Sequence, residues 1–448
     1  MKVFPVLYAV LSLCGLISCS TFEDVHYDEQ AVAQLKKLAN ADINAAQPTD
    51  NVTLSSLIAS QEANQLVTRA LSHNPSIQQT YFALKSAEQQ LIGTRANQLP
   101  SLVGDVTSTK DEGSTSYYTP SLTVSWTIDI WQQLANNTSS QQATLLANAH
   151  AYQGARDLLA AKVIQSYLSL VQAAQLITIE SQHVARLAIN ENIIVSRYRK
   201  GLSDLKDLDS AKSSTQSSRA SLVAYQTQYQ TESRHLALLT GETEISLIYQ
   251  LKFPEVFMPL SELSQQNLSR RPDLQQAYQA IIASQYQHKV AYKALLPTLS
   301  LSTSLSNSQT SLHDALFGSS AWQLLGNLSA PLFNAGALQS EVEVAKLDAE
   351  KSYWAFQESL LIAVNEVDNA IAQEISLNQQ LTFTQSALTS ALRSEKTYLE
   401  RYRSGSVSLL DLLTVQEQTF SLQAEVSQLT YQQLSNRITL GLALGLGV

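Results

Sequence analysis

Cysteine is nearly absent: Cys14 and Cys19 are the only two in 448 residues. A disulfide framework and a cysteine-built metal site are therefore excluded from everything after residue 19. Glycine and proline together number only 24, so helix breakers are scarce and long helices are expected. Basic residues are outnumbered, 29 against 38 acidic, for a net charge of −9, and they form no cluster. That argues against a nucleic-acid partner. Beyond the N-terminus no run of 18 apolar residues occurs, which excludes a transmembrane helix there and leaves β-strands as the only way to cross a bilayer. The seven histidines are scattered without metal spacing, and no HExxH, GxSxG or phosphate-loop pattern is present. Neither an enzyme nor a bound cofactor is expected. His183 and His235 read as surface residues on helix faces.

What is present begins with a targeting segment. Lys2 precedes the apolar stretch VFPVLYAVLSLCGLI, and Leu16-Ile17-Ser18-Cys19 has the form of a bacterial lipobox. Cys14 follows the bulky Leu13 and fits less well. This reading makes residues 1–18 a signal peptide and Cys19 the first mature residue, carrying acyl chains as a covalent lipid. The alternative is an ordinary secretory signal with an incidental cysteine. Ser20 is not the aspartate that retains such lipoproteins at the inner membrane, which implies the outer membrane. Residues 19–60 are expected to form an anchor segment that leads from the lipid as extended chain.

The rest of the chain says the same thing twice. HNPSIQQTYFALKSAEQQLIGTRANQLPSL, from His73, returns as RRPDLQQAYQAIIASQYQHKVAYKALLPTL. Pro75 matches Pro272, Tyr81 matches Tyr278 and Pro100 matches Pro297, all 197 residues apart. RYRKGLSDLKDL at Arg197–Leu208 returns as RYRSGSVSLLDL at Arg401–Leu412, now 204 apart. Two elements in the same order at nearly the same offset predict two tandem repeats, over residues 61–250 and 251–448.

Each repeat is expected to run helix, two strands, long helical hairpin. Pro75 and Pro272 suit the first turn of a helix. In Ser121–Asp129, Leu122, Val124, Trp126 and Ile128 alternate with polar residues at period two. Weaker alternation gives strands at ~101–110, ~117–129, ~298–307 and ~321–332, with Gly113 and Phe317–Ser320 in the intervening loops. Proline-free runs over roughly 132–200 and 335–404 then predict helices of about 100 Å each. Seven-residue spacing through Leu145, Tyr152 and Leu159 shifts by four to Val163, Leu170, Ile177 and Val184, a coiled-coil stutter. Gly201 and Gly405 end these helices, which places the repeated motif at the tips of two hairpins, ~197–208 and ~401–412. Leu205, Leu208, Leu409 and Leu412 are expected to pack the returning helices.

The strands carry Leu, Val and Trp on one face and Ser, Thr and Asn on the other, the pattern of a membrane barrel with lipid outside and water inside. Trp126 and Trp322 suit an aromatic belt or a packed core equally. Four strands cannot close a channel, and open edges are not tolerated in lipid. If these strands span the membrane, other chains must complete the barrel.

With NPSI…QLPSL, RPDL…LLPTL, SAPLFNAG (Ser329–Gly336), the paired RYRxG tips and the terminal ITLGLALGLG, nearly the whole mature sequence resembles the TolC-like outer-membrane factor family. The lipobox points to its lipoprotein branch, which serves resistance-nodulation-division efflux pumps. The resemblance implies a mainly α protein with four transmembrane β-strands per chain and a homotrimer with a 12-stranded barrel and an α-helical tunnel. The tunnel would be a passive exit duct for drugs or small molecules, anchored in the outer membrane of a Gram-negative bacterium and extending into the periplasm. Its partners would be a periplasmic adaptor protein and an inner-membrane pump. Alternatives are the exit duct of type I protein secretion and a structural coiled-coil lipoprotein.

The resemblance also assigns residues. Asp411 matches a position at the periplasmic constriction, where three copies would form an acidic ring, although Thr414 stands where the family often has a second acid. Asp207 and Tyr402 match positions that hold the gate closed between hairpins, and Val407 stands where some members have an arginine. Arg197, Tyr198, Gly201, Arg401 and Gly405 fall at the tips, where the adaptor would bind.

Overall fold

A computed structural model describes residues 24–41, 53–58, 60–244, 252–254 and 268–448. Residues 1–18, expected as a signal peptide, and Cys19 lie outside the described residues. One run of elements, a helix, two strands, a long helix and a shorter one, occurs twice, with one short helix added between the strands of the second run. Helix α1 is Tyr27–Ala41 and α2 is Gln61–His73. Then come α3 (Pro75–Ala96), β1 (Ser101–Thr109), β2 (Tyr117–Ile128), α4 (Gln133–Arg199) and α5 (Leu205–Thr240). The second series is α6 (Pro272–Lys293), β3 (Thr298–Ser306), a short α7 (Leu312–Phe317), β4 (Ala321–Ser329), α8 (Ala337–Arg403) and α9 (Leu409–Ala443). Both proline-initiated helices have 22 residues and both long helices have 67.

The chain divides into two compact units, and each draws on both halves of the sequence. The described part of the first comprises residues 24–32, 89–144 and 280–354. Its centre is one antiparallel sheet in the order β1-β2-β3-β4. The register places Leu102 opposite Val124, Leu122 opposite Leu305, Trp126 opposite Leu301 and Leu305 opposite Trp322, all on one face. Ser101, Ser125, Ser302, Ser121 and Ser306 fall on the other face, as the period-two geometry of a strand requires. The apolar face is open: Trp322 is 76% exposed and Leu328 68%. Among the described residues, strands β1 and β4 each pair along one side only.

Two features of this unit differ from the sequence expectation. The connection at Phe317–Ser320 is preceded by helix α7, whose N-cap Ser311 accepts the Asp314 N–H while Asn307 donates to the carbonyls of Asp314 and Ala315. Six residues are too few to leave a periodic signal. The segment expected as extended chain after residue 19 is helical over Tyr27–Ala41. Its start is tied down by Tyr27 stacking on Tyr353, by Gln285 donating to the Val25 carbonyl and by Lys289 paired with Asp24 at 3.2 Å.

The described part of the second unit, within residues 33–88, 145–279 and 355–448, is mainly helical. Its core gathers Val163, Ile164, Tyr167, Leu168, Leu170 and Val171 of α4 with Leu66 and Val67 of α2 and Leu434 and Ile438 of α9. Leu54 and Leu57 cover the glycine-rich end of α9, where a Cβ on Gly441 would lie 2.5 Å from Leu57. Past Leu176 the buried stripe of α4 runs Leu176, His183, Leu187, Asn190, Ile194. The expected seam through Ile177 and Val184 is thus displaced by one residue. Polar side chains occupy core positions and so hide the stripe from a hydrophobic count. His183, expected at the surface, is only 5% exposed. Its neighbour in the stripe, Asn190, donates to Gln416 of α9 at 2.9 Å.

Candidate functional site at the hairpin tips

Both tips are built by the same cap chemistry, which explains why the motif is repeated. At the end of α4 the Gly201 N–H donates to the Tyr198 carbonyl and the Leu202 N–H reaches back to Arg197, each at 2.9 Å. At the end of α8 the Gly405 N–H donates to Tyr402 at 3.1 Å and Ser406 to Arg401 at 2.8 Å. This paired closure needs a left-handed residue, and Gly201 and Gly405 supply it with φ of 69° and 75°. The returning helices are then capped in turn. Asp204 accepts the Asp207 N–H at 2.8 Å, and Ser203 donates to the Asp207 carboxylate at 2.9 Å. Ser408 and Asp411 form a reciprocal capping box: the Ser408 N–H and hydroxyl both donate to Asp411, and the Asp411 N–H donates to Ser408.

Under the tips lies a small apolar cluster of Leu187, Ile194, Leu208, Ala211, Tyr402, Leu409, Leu412 and Leu413. Leu208, Leu409 and Leu412 pack as expected. Leu205 does not: it is 56% exposed, because it opens α5 on the outer face of its first turn. The two motif tyrosines also part company. Tyr198 is exposed at 41%, whereas Tyr402 is buried at 7%.

The Tyr402 ring lies under the Arg197 guanidinium, 5.9 Å from its centroid, and links the two tips within one chain. Its hydroxyl is buried and makes no well-formed hydrogen bond among the described residues, with Arg197 the side chain that acts on it as a donor. Burial pushes the phenol above its ordinary value, with Arg197 pulling it down and Asp207 pushing it up. Asp207 and Tyr402 thus share a neighbourhood with no hydrogen bond between them inside one chain. Asp411 stands apart and exposed, and the Ser408 hydroxyl, then the Ser408 N–H, hold its carboxyl below the ordinary aspartate value. Arg401 and Gly405 are exposed.

One cluster escaped the sequence reading. His183 meets Glu180 on its own helix, Ser218 of α5, and Phe420 and Glu417 of α9. The three-four spacing of Leu176, Glu180, His183, Leu187, Asn190 and Ile194 is the signal that would have found it. Among the described residues no group of three His, Cys, Asp or Glu side chains is placed to hold a metal ion, and no helix is long and apolar enough to cross a membrane.

Compared with known proteins, residues 66–242 and 263–446 match the outer membrane efflux protein family. The chain belongs to this family. As an outer membrane efflux protein it has full-length relatives. It is 25% identical over 446 residues to the cation efflux system protein CusC of Escherichia coli (strain K12), covering 97% of each chain. It is 25% identical over 403 residues to the probable outer membrane lipoprotein SilC of Salmonella typhimurium, covering 86% of each. Among solved structures, the outer membrane protein VceC of Vibrio cholerae superposes with a TM-score of 0.78 at 21% identity, covering 90% of this chain and 100% of that one. The efflux protein described here shares that fold, and its site of action is the outer membrane.

Proposed function

We propose that three copies of this chain form a passive duct through the outer membrane, each giving four strands to a 12-stranded barrel and its helices to a periplasmic tunnel. The observation that carries this reading is the sheet, which has an open apolar face, an opposite face of Ser and Thr, and two edges with unpaired backbone groups. Lipid suits the first face and water the second, and only further strands satisfy the edges. Cys19 carries the lipid anchor, a reading favoured by the lipoprotein name of SilC. The tips, with Arg197, Tyr198 and Arg401 around Gly201 and Gly405, meet a periplasmic adaptor that couples the duct to an inner-membrane pump. The cargo is a drug or other small molecule, and the duct performs no chemistry on it. Tyr402 and Asp207 form the latch between neighbouring hairpins, a reading supported by the neighbourhood that they share with Arg197 at the tips.

The test is purification from the outer membrane in mild detergent, followed by planar-bilayer recording. A trimer that dissociates on heating and gives discrete ion conductance is the expected result. A monomer that never conducts overturns the proposal.

A further inference from the structure

The helices of the second unit hold a cleft of about 1270 Å³ between α5 and α9, floored by α4. Its lining includes Glu180, His183, Asp209, Ser218, Glu417 and Phe420. His183 is the buried titratable group in it. Its ring stacks on Phe420 of α9, with centroids 3.9 Å apart. Each ring nitrogen faces a carboxylate: Nδ1 lies 3.7 Å from Glu180, and Nε2 lies 3.7 Å from Glu417. Ser218 gives its hydroxyl proton to Glu180 and leaves its oxygen 3.4 Å from Nδ1.

Neutral imidazole has one N–H and one lone pair. In either tautomer, therefore, one lone pair points at a carboxylate. Among the described residues Nε2 has no hydrogen-bond partner. Only the imidazolium offers a donor to both acids, yet the apolar packing around it opposes a positive charge. The remaining charged neighbour on α4, Arg186, sits over Phe420 and is engaged by Glu395 of α8. From α5 the facing groups are Ser218 and, further along the cleft, Asp209. From α9 they are Phe420 and Glu417, whose side chain is 73% exposed and able to swing.

We propose that His183 is an acid-operated latch: on protonation it captures Glu417, draws α9 onto α4 and narrows the cleft, changing the pose of the hairpins. Burial lowers the imidazole from its ordinary 6.5, against the opposing pull of Glu180 and Glu417. The sign follows from this depression. The arrangement described here is the neutral one; it is fully stable above the ordinary histidine value and loses stability as the pH falls below it. Closing the Glu417 contact to charge-assisted hydrogen-bond distance relieves that loss. The site lies fourteen residues before Arg197, about 21 Å along α4, close enough for a shift in α9 to reach the tip.

The readout rests on the duct reading above. Conductance of the full-length protein is recorded between about pH 7 and pH 5, alongside thermal unfolding over the same range. The wild type is expected to show a titration step in both. His183→Gln keeps a neutral polar side chain and should lose the step. Glu417→Gln removes the captured acid from an exposed position and should move the step down by about one pH unit. If His183→Gln fails to fold, Glu417→Gln still decides. Conducting channels whose pH profiles coincide in wild type and variants overturn the latch. Absence of conductance at every pH overturns the duct reading instead, and in that case coincident unfolding profiles in wild type and Glu417→Gln overturn the latch as well.

Discussion

Asp411 shows how a side chain that caps a helix can also fit the transport role proposed for it. In the sequence it stands in a repeated Asp-Leu pair after a glycine turn, a pattern that marks the start of a helix whatever the protein does. The capping box with Ser408 realises that role within a single chain, and exposure leaves the outer carboxylate oxygen facing solvent. If three copies ring a constriction, the same charge favours cations. Asp411→Asn is therefore expected to reduce cation preference, read as a change in reversal potential across a salt gradient. The pH dependence has a definite sign. Because Ser408 holds the carboxyl below its ordinary value, the cap is intact above the unfolded aspartate value and is lost only as pH falls through the lower folded one. In a single chain the Asp411 carboxyl should therefore be more charged at about pH 4 than an unshifted aspartate, which is half neutral there, whereas three copies in a ring would raise one another. His183 is the opposite case. Its three-four spacing with Leu176, Leu187 and Ile194 marks it as packed, but most of its chemistry comes from helices that meet it only after folding.

At the scale of elements, the strands and long helices are legible in the sequence, and the seam along which the helices pack is not. The alternation in Leu122–Ile128 is visible because one face must be apolar along its whole length, and the register pairs it with Leu299, Leu301 and Leu305. The long helices are legible from missing prolines. Their packing is less so, because polar residues occupy the seam. Asn190 with Gln416, and Ser427 with Gln175, align α4 and α9 without adding to any hydrophobic count. The same holds between α8 and α9. Glu374 is 3% exposed and accepts from Arg437 at 2.7 Å and from Asn436 at 3.2 Å. Removing the cation leaves a buried carboxylate without its counter-charge. Arg437→Ala should cost about 3–5 kcal/mol, measured by thermal or denaturant unfolding. Replacing both partners, with Glu374→Leu and Arg437→Met, should recover most of that loss. A double variant as unstable as the single one would show that the pair does more than neutralise itself.

For the whole molecule the decisive feature is what one chain leaves undone. Strands β1 and β4 are opposite edges of a four-stranded sheet, and their outer backbone groups need partners. Beside the apolar face, water is a poor partner and a neighbouring strand is the natural one. β1 and β4 run antiparallel when carried round a ring of identical chains, because successive strands alternate in direction. The chain has no cysteine after residue 19, which gives a clean background for cross-linking. Thr107 on β1 and Gln323 on β4 both lie on the polar face, toward the ends of their strands that adjoin the β1–β2 and β3–β4 connections. A protein carrying Thr107→Cys and Gln323→Cys, treated in membranes with a flexible bis-maleimide, should give covalent dimers and trimers and nothing larger. Either substitution alone should give far less, since each places only one thiol at the proposed joint. Bands that continue beyond the trimer would mean an open assembly, and monomer alone would mean that the edges are satisfied by something other than this chain.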